Sequence, residues 1–364
     1  MGFEMDKHNL ELLSRIERLE KRQRKKAPEC LCPQCRASAI WSHSQPRGGI
    51  LSHIAEEGHV MGICRHLASA LYDATSKSPP NPGIVKIGVR EASTFWGYCN
   101  KHDTELFNCL ETKELRKDDI EQVFAMHLRA LSFEYKAQLR FSEILAQLPA
   151  EELRQIFGVE NELMVRENLF EADSTYRWNL MWRDDKLAKF KNDFSYEWVV
   201  IPEDVGVAAV AMIPPLSPIQ EHRYMTRHCC ADGSYTVARP AFSLSVMPSP
   251  FATHVVMCWH VADTDYVAPW RHDLCTDDKT HLAEFLNRCI FTKSEDFYIR
   301  PSLWNSLPAS VKELVGKNLL PNLDEYEVPN VIELTDSRQN GQGSIDGNPT
   351  KGGRDEVGVT GDAG

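Results

Sequence analysis

The chain has 364 residues, 42% of them apolar and 26% charged, with a formal net charge of −11. It is long enough to bury a sizeable core without crosslinks, and its acidic balance excludes a protein that coats nucleic acid through bulk electrostatics while allowing a local basic patch. The N-terminus mixes acids with short apolar groups, and the longest apolar stretch, 205–213, is too short for a bilayer, so no membrane partner and a cytoplasmic location are expected.

Residues 3–26 read as an amphipathic helix, because Leu10, Leu13, Ile16 and Leu19 share one face. Its far end, 18–26, is RLEKRQRKK, either a solvated helix end or an arm that contacts phosphates. Residues 28–48 have the Cys, Pro, Ser and Gly content of a knuckle and loops. The stretch 49–58 reads as a short helix stopped by Gly58, 76–83 (SKSPPNPG) as a break, and 84–89 as an alternating strand. Asp118 and Asp119 can cap a long helix running to about Gln147, with its stripe at Phe124, Leu128, Leu131, Tyr135, Leu139 and Ile144. Two further helices are expected at 150–170 and 176–192.

After Phe194 the pattern changes to β-branched and apolar runs, EWVVIP, VGVAAVAMIP, FSLSVMP and HVVMCWHV, separated by Pro and Gly. These predict strands of a sheet. Helical spacing returns at 279–291 and 311–320. From about Ser337 the chain has no core-forming residues and reads as a disordered tail. The expected fold class is therefore α+β, with a mixed or antiparallel sheet. The expected division is a basic helix at 1–27, a zinc unit at 28–115, a helical region at 116–193, an α+β domain at 194–335 and a tail at 336–364.

Eleven cysteines, an odd number, in a cytoplasmic chain read as thiols and metal ligands rather than as disulfides. Zinc takes four Cys or His ligands in a tetrahedron, commonly delivered as two short-spaced pairs. The first pair lies within Cys30-Leu-Cys32-Pro-Gln-Cys35, where either Cys30 or Cys32 can partner Cys35 and Pro33 suits a tight turn. The second is Cys99-Asn-Lys-His102, two ligands on one helical turn. Four protein ligands leave no open position, so this zinc is structural. A knuckle followed much later by a Cys-x-x-His helix start is the ligand plan of a treble clef.

Between the two pairs lies Ile40-Trp41-Ser42-His43-Ser44, and directly after the second comes Asp103. In this context the segment resembles the HNH endonuclease family, and also an uncharacterised bacterial group with a Ser-His, a Gly-His-Val and an Ala-Ser-Thr-Phe-x-Gly-aromatic-Cys-x-x-His-Asp run. Here these are Ser42-His43, Gly58-His59-Val60 and ASTFWGYCNKHD at 92–103. The resemblance covers about residues 28–110. It implies a small treble-clef unit in which His43 is the general base, Asp103 holds a catalytic magnesium or manganese ion, and the substrate is nucleic acid bound through the zinc unit and the 18–26 segment. Ser42 stands where the family has an acidic residue, and Thr94 stands nearest the family's central Asn. His43 can also be a loop-bonding histidine or a zinc ligand. The alternative function is a non-catalytic zinc module that supports a domain binding a protein partner.

Other candidates read as structural. His59 lies near a helix end. Cys229 and Cys230 are adjacent and diverge, so with His222 and His228 they make a poor metal set. His254 and His260 are too far apart along a strand to chelate one ion. The Glu203-Asp204 and Asp277-Asp278 pairs look like caps or solvated loops. No phosphate-binding glycine loop, nucleophile elbow or dinucleotide fingerprint is present.

Overall fold

The apolar runs of the C-terminal half become the central strands of an antiparallel sheet. The structure, a computed structural model, describes residues 7–63, 83–149, 162–182, 186–217, 220, 223–224, 227–228, 238–319 and 327–334. The fold is α+β, as the element pattern predicts.

Seven strands pair in the order β3-β2-β9-β6-β7-β8-β5, with every neighbour antiparallel. They are β2 (His59–Ile63), β3 (Ile84–Gly88), β5 (Phe194–Ile201), β6 (Val207–Ile213), β7 (Phe242–Pro248), β8 (Thr253–His260) and β9 (Phe297–Ile299). The central strands carry near-continuous apolar runs because both faces of the sheet are covered. Val207, Ala209 and Ala211 point into one core and Ala208 and Met212 into the other; Val255, Met257 and Trp259 alternate in the same way with Val256 and Cys258.

The first core lies under the helix Lys279–Lys293, which supplies Leu282, Phe285, Leu286, Cys289 and Ile290. Asp278 caps this helix, its carboxylate accepting from the backbone N–H groups of Thr280 and His281. The second core lies under the long helix Ile120–Leu145, whose stripe buries Val123, Phe124, Leu128 and Leu131. Its cap is Asp119, which accepts from the N–H groups of Glu121 and Gln122 at 3.0 and 3.3 Å. The N-terminal helix Lys7–Lys25 lies against it, with Ile16 and Leu19 buried and Glu20 paired with Arg140.

Several boundaries differ from the sequence expectation. The short helix expected at 49–58 is a π-helical turn, Arg47–Leu51, followed by a single α turn, Ser52–Ile54. Ala55 is already extended, and Gly58 turns the chain into β2 at φ +74°. A single helix, Glu162–Met181, crosses the break expected between 170 and 176, and a second follows at Lys186–Asp193. The helix Thr264–Leu274 contains Pro269, the residue that hides it from a periodicity reading. The strand β9 has three residues, too few to show alternation. The segment 76–82, most of the helix expected at 150–170, His222, Cys229, Cys230 and the tail from 336 lie outside the described residues.

Two further strands, β1 (Trp41–His43) and β4 (Thr94–Trp96), form a separate antiparallel hairpin. The chain between them contributes β2 and β3 to the large sheet through β9, so the segment 28–115 is tied into the sheet rather than set apart from it. Its core is shared as well. Cys30, Tyr98, Cys99 and Phe107 belong to the same buried cluster as Trp198, Met247, Val256 and Tyr298 of the sheet.

Candidate metal centre and the histidine beside it

The first ligand pair is delivered by a tight turn. Glu29 and Ser38 bridge, and the Cys30 N–H donates to the Ala37 carbonyl at 2.8 Å. The Cys35 N–H donates back to the Cys32 carbonyl at 3.1 Å across Pro33 and Gln34. Gln34 has φ +65°, so proline followed by a left-handed residue gives a type II turn. The second pair starts a helix, Asn100–Thr112, in which Cys99 is the N-cap and His102 lies in the first turn.

These elements bring Cys30, Cys35, Cys99 and His102 together, with all ligand atoms within 4.8 Å of one another. The Cys35 and Cys99 sulfurs are 3.9 Å apart. His102 Nδ1 lies 3.5 Å from Cys30 Sγ and 3.3 Å from Cys99 Sγ. A zinc tetrahedron built on bonds of about 2.3 Å to sulfur and about 2.0–2.1 Å to nitrogen has S···S edges of about 3.8 Å and S···N edges of about 3.6 Å. The donor set therefore fits zinc in both chemistry and spacing. Cys32 is outside this set. Its backbone serves the site instead, its N–H donating to Cys30 Sγ at 3.4 Å while the Cys99 N–H donates to the same sulfur at 3.1 Å. Burial pushes the Cys30 thiol up to about 12, and the backbone N–H of His102 draws Cys99 down. Such donors compensate the negative charge that a thiolate ligand brings.

His43 is half-buried on β1, and burial lowers its pKa, so it stays neutral. Its Nδ1 lies 3.0 Å from the Ala92 carbonyl and 3.1 Å from Ser93 Oγ. A carbonyl can only accept, so Nδ1 carries the hydrogen and the lone pair sits on Nε2. Ser93 is part of an overdetermined corner. It has φ +58° and is buried; its carbonyl accepts from both the N–H and the hydroxyl of Ser44, and its N–H donates to the Tyr298 hydroxyl at 2.5 Å. Tyr298 reaches there from β9 because position 62 is glycine. A Cβ at Gly62 would lie 2.7 Å from the Tyr298 ring.

The residues that depart from the family pattern have other tasks. Ser42 points inward and its hydroxyl accepts from the Tyr98 N–H at 3.0 Å; Gly97 packs against it so closely that an added Cβ would sit 2.8 Å from its oxygen. Thr94 faces His43 across the hairpin, and its hydroxyl bonds the Glu91 carbonyl at 2.8 Å. The charged groups acting on His43 are Arg47, Arg129 and Glu111. Arg129 is buried, its Nη2 2.8 Å from Glu111 and its guanidinium over the Phe107 ring, while Nε and Nη1 have no protein partner.

Asp103 lies in the first turn of the Cys99-capped helix, where the dipole favours a carboxylate, and its buried Oδ1 has no hydrogen-bond partner. No hydrogen bond among the described residues joins it to His43. Sequence alone singles out none of Tyr298, Glu111 and Arg129, and it holds Ser93 only as part of the run at 92–103. The helical spacing of Asp103, Phe107 and Glu111 is the signal that was there for one of them.

Four further described histidines have ordinary partners. His59 Nδ1 bonds the Glu57 carbonyl, His254 Nδ1 accepts from the Trp198 indole, His260 Nδ1 accepts from the Ala262 N–H, and His228 stacks on Tyr224. Asp204 is a bridge, bonded to His53 Nε2 at 2.8 Å and to Arg300. Glu203 pairs with Lys279. Every described cysteine is a free thiol, and no described helix is long and apolar enough to cross a membrane.

No family model, no curated protein and no solved structure matches this chain.

Proposed function

We propose that the chain is a zinc-stabilised, divalent-metal-dependent endonuclease of the HNH-like, treble-clef type. The observation that carries this reading is His43 on the hairpin strand, neutral, with Nδ1 given to the Ala92 carbonyl and Nε2 left to accept a proton. The order of parts agrees with it, since a cysteine turn, a two-stranded hairpin and a helix that begins with the second ligand pair follow one another. The Ala92 carbonyl takes the orienting role that the family gives to an acidic residue.

In this mechanism His43 Nε2 takes a proton from water as its oxygen forms a bond to phosphorus, and the phosphorus–oxygen bond to the leaving nucleoside breaks. Asp103, with its unpartnered Oδ1, is the carboxylate that would hold a magnesium or manganese ion, a group that stabilises charge on the phosphoryl oxygens when bound. The exposed Arg18, Lys21, Arg22, Lys25 and Lys26 offer phosphate contacts away from the reacting bond.

The second reading, a non-catalytic zinc unit that supports a partner-binding sheet, draws on the core that the zinc unit and the sheet share. Plasmid cleavage with magnesium or manganese separates the two. Wild type cuts and His43→Ala loses at least about 100-fold, the ordinary scale of general-base catalysis. Equal cutting by both proteins, or none by wild type on either the plasmid or its denatured single strands, removes the nuclease reading.

A further inference from the structure

The hairpin that carries His43 holds a second feature on the same face. Side chains alternate along a strand, and β1 reads exposed, buried, half-buried at Trp41, Ser42 and His43. Its partner β4 reads half-buried, buried, half-buried at Thr94, Phe95 and Trp96. Ser42 and Phe95 pair inward, while Trp41 pairs with Trp96 and His43 with Thr94 on the outer face. The two indoles stack at 4.1 Å between centroids and 27° between planes, and Trp41 is 44% exposed. Among the described residues Trp41 is the large aromatic side chain left open beside the candidate base. It lies two strand steps from His43, about 6.5 Å, with Ser42 between them. Arg47 is exposed, and it acts on His43 together with Arg129 and the opposing Glu111.

We infer that the Trp41–Trp96 pair is a stacking platform for an unpaired nucleobase, and that the preferred substrate is therefore single-stranded nucleic acid, or a duplex opened next to the cut. This inference rests on the nuclease reading of His43. The chemistry is sequence-tolerant, because every base has a π face to lay on an indole, whereas the bases of an intact duplex are already stacked on one another. The arrangement places a base on Trp41 and leaves a neighbouring phosphate for His43. The indoles supply the preference for an unpaired strand.

The test is equilibrium binding of a fluorescein-labelled 15-mer of dT, and of a duplex of the same length, by anisotropy without added magnesium or manganese. Wild type binds the single strand at least about tenfold more tightly than the duplex, with partial quenching of indole emission. Trp41→Ala weakens single-strand binding about tenfold, at the lower end of about 1–3 kcal/mol for one base stacked on an aromatic ring. Trp41→Phe, which keeps an aromatic face, stays within about threefold. Equal affinity of wild type and Trp41→Ala overturns the platform, and so does equal affinity for duplex and single strand. If Trp41→Ala fails to fold, the decision passes to the intact proteins: wild-type indole quenching that persists unchanged in Trp41→Phe also overturns it. A result in which His43→Ala still cleaves while Trp41→Ala loses binding removes the base and keeps the platform. The reverse removes the platform and keeps the base.

Discussion

The β1–β4 hairpin and the seven-stranded sheet reach order by different physical means. The strands β6, β7 and β8 are seven, seven and eight residues long and buried on both faces. Apolar burial of that extent, at roughly 25 cal/mol for each Å², specifies register without help, since a slip of one residue would exchange the contents of the two cores. The strands β1 and β4 have three residues each and one buried pair, Ser42 and Phe95, between them. So short a ladder is marginal in water. It is bracketed instead by the Cys30, Cys35, Cys99 and His102 cluster, which fits zinc, by the Tyr98 N–H on Ser42 and by the Tyr298 hydroxyl on Ser93. The region with this candidate metal cluster is also the one that holds the His43 Nδ1 against the Ala92 carbonyl. Apolar area there is too small to fix the hairpin by itself.

The largest effect should come from removing a crosslink. Cys99→Ser should lower zinc content from about one per chain to near zero. It should cost several kcal/mol or more, because zinc binding in small domains is folding free energy of about 10–16 kcal/mol. Hydrogen exchange should show the loss first at 40–44 and 92–98, with β6–β8 protected longest. Unchanged zinc content would discard the metal centre, and simultaneous loss everywhere would break the contrast between the two regions. Phe242→Ala, in the core beneath Lys279–Lys293, should lower stability by about 3–5 kcal/mol in denaturant titration while zinc content stays the same. Loss of zinc in that variant would show that the metal centre depends on the sheet.

A pH experiment sharpens the picture of the sheet's second face. His127 is buried against Ser243, 2.8 Å from its hydroxyl. Burial, with repulsion from Arg177 and His260, lowers it to about 3. An unfolded histidine binds its proton near 6.5, so the neutral folded form contributes its full stability above that pH and loses it as the pH falls toward 3. Between pH 6.5 and 4.5 wild type should lose about 2–3 kcal/mol relative to His127→Gln, measured as unfolding free energies at the two pH values. Parallel curves for the two proteins would refute a neutral buried imidazole.

Two smaller effects test single assignments. Asp119→Ala should cost about 1 kcal/mol, the value of an N-cap, with no change in zinc. Cys32→Ser should leave zinc content unchanged and shift stability by less than about 1 kcal/mol, because Cys32 gives the site its backbone and not its sulfur. Loss of zinc there would move the ligand assignment from Cys30 to Cys32.

The elements legible in the chain are those whose cause is local. The stripe from Phe124 to Ile144 and the cap at Asp119 announce a long helix, and the run VGVAAVAMIP announces a strand buried on both sides. The cysteine turn and the Cys99-x-x-His102 pair are legible because four ligands for one ion need short local spacings at each end. What local pattern leaves open is settled by contacts across long separations. The choice of Cys30 over Cys32 depends on which sulfur faces Cys99, 69 residues beyond Cys30. The neutral, oriented state of His43 depends on Ala92, Ser93 and, through Ser93, on Tyr298 of β9, 205 residues beyond Ser93. Sequence by itself determined which residue types are available for metal and proton chemistry. The tertiary structure decided which of them meet, because hydrogen bonds and coordination act over about 3 Å in space and place no limit on separation along the chain.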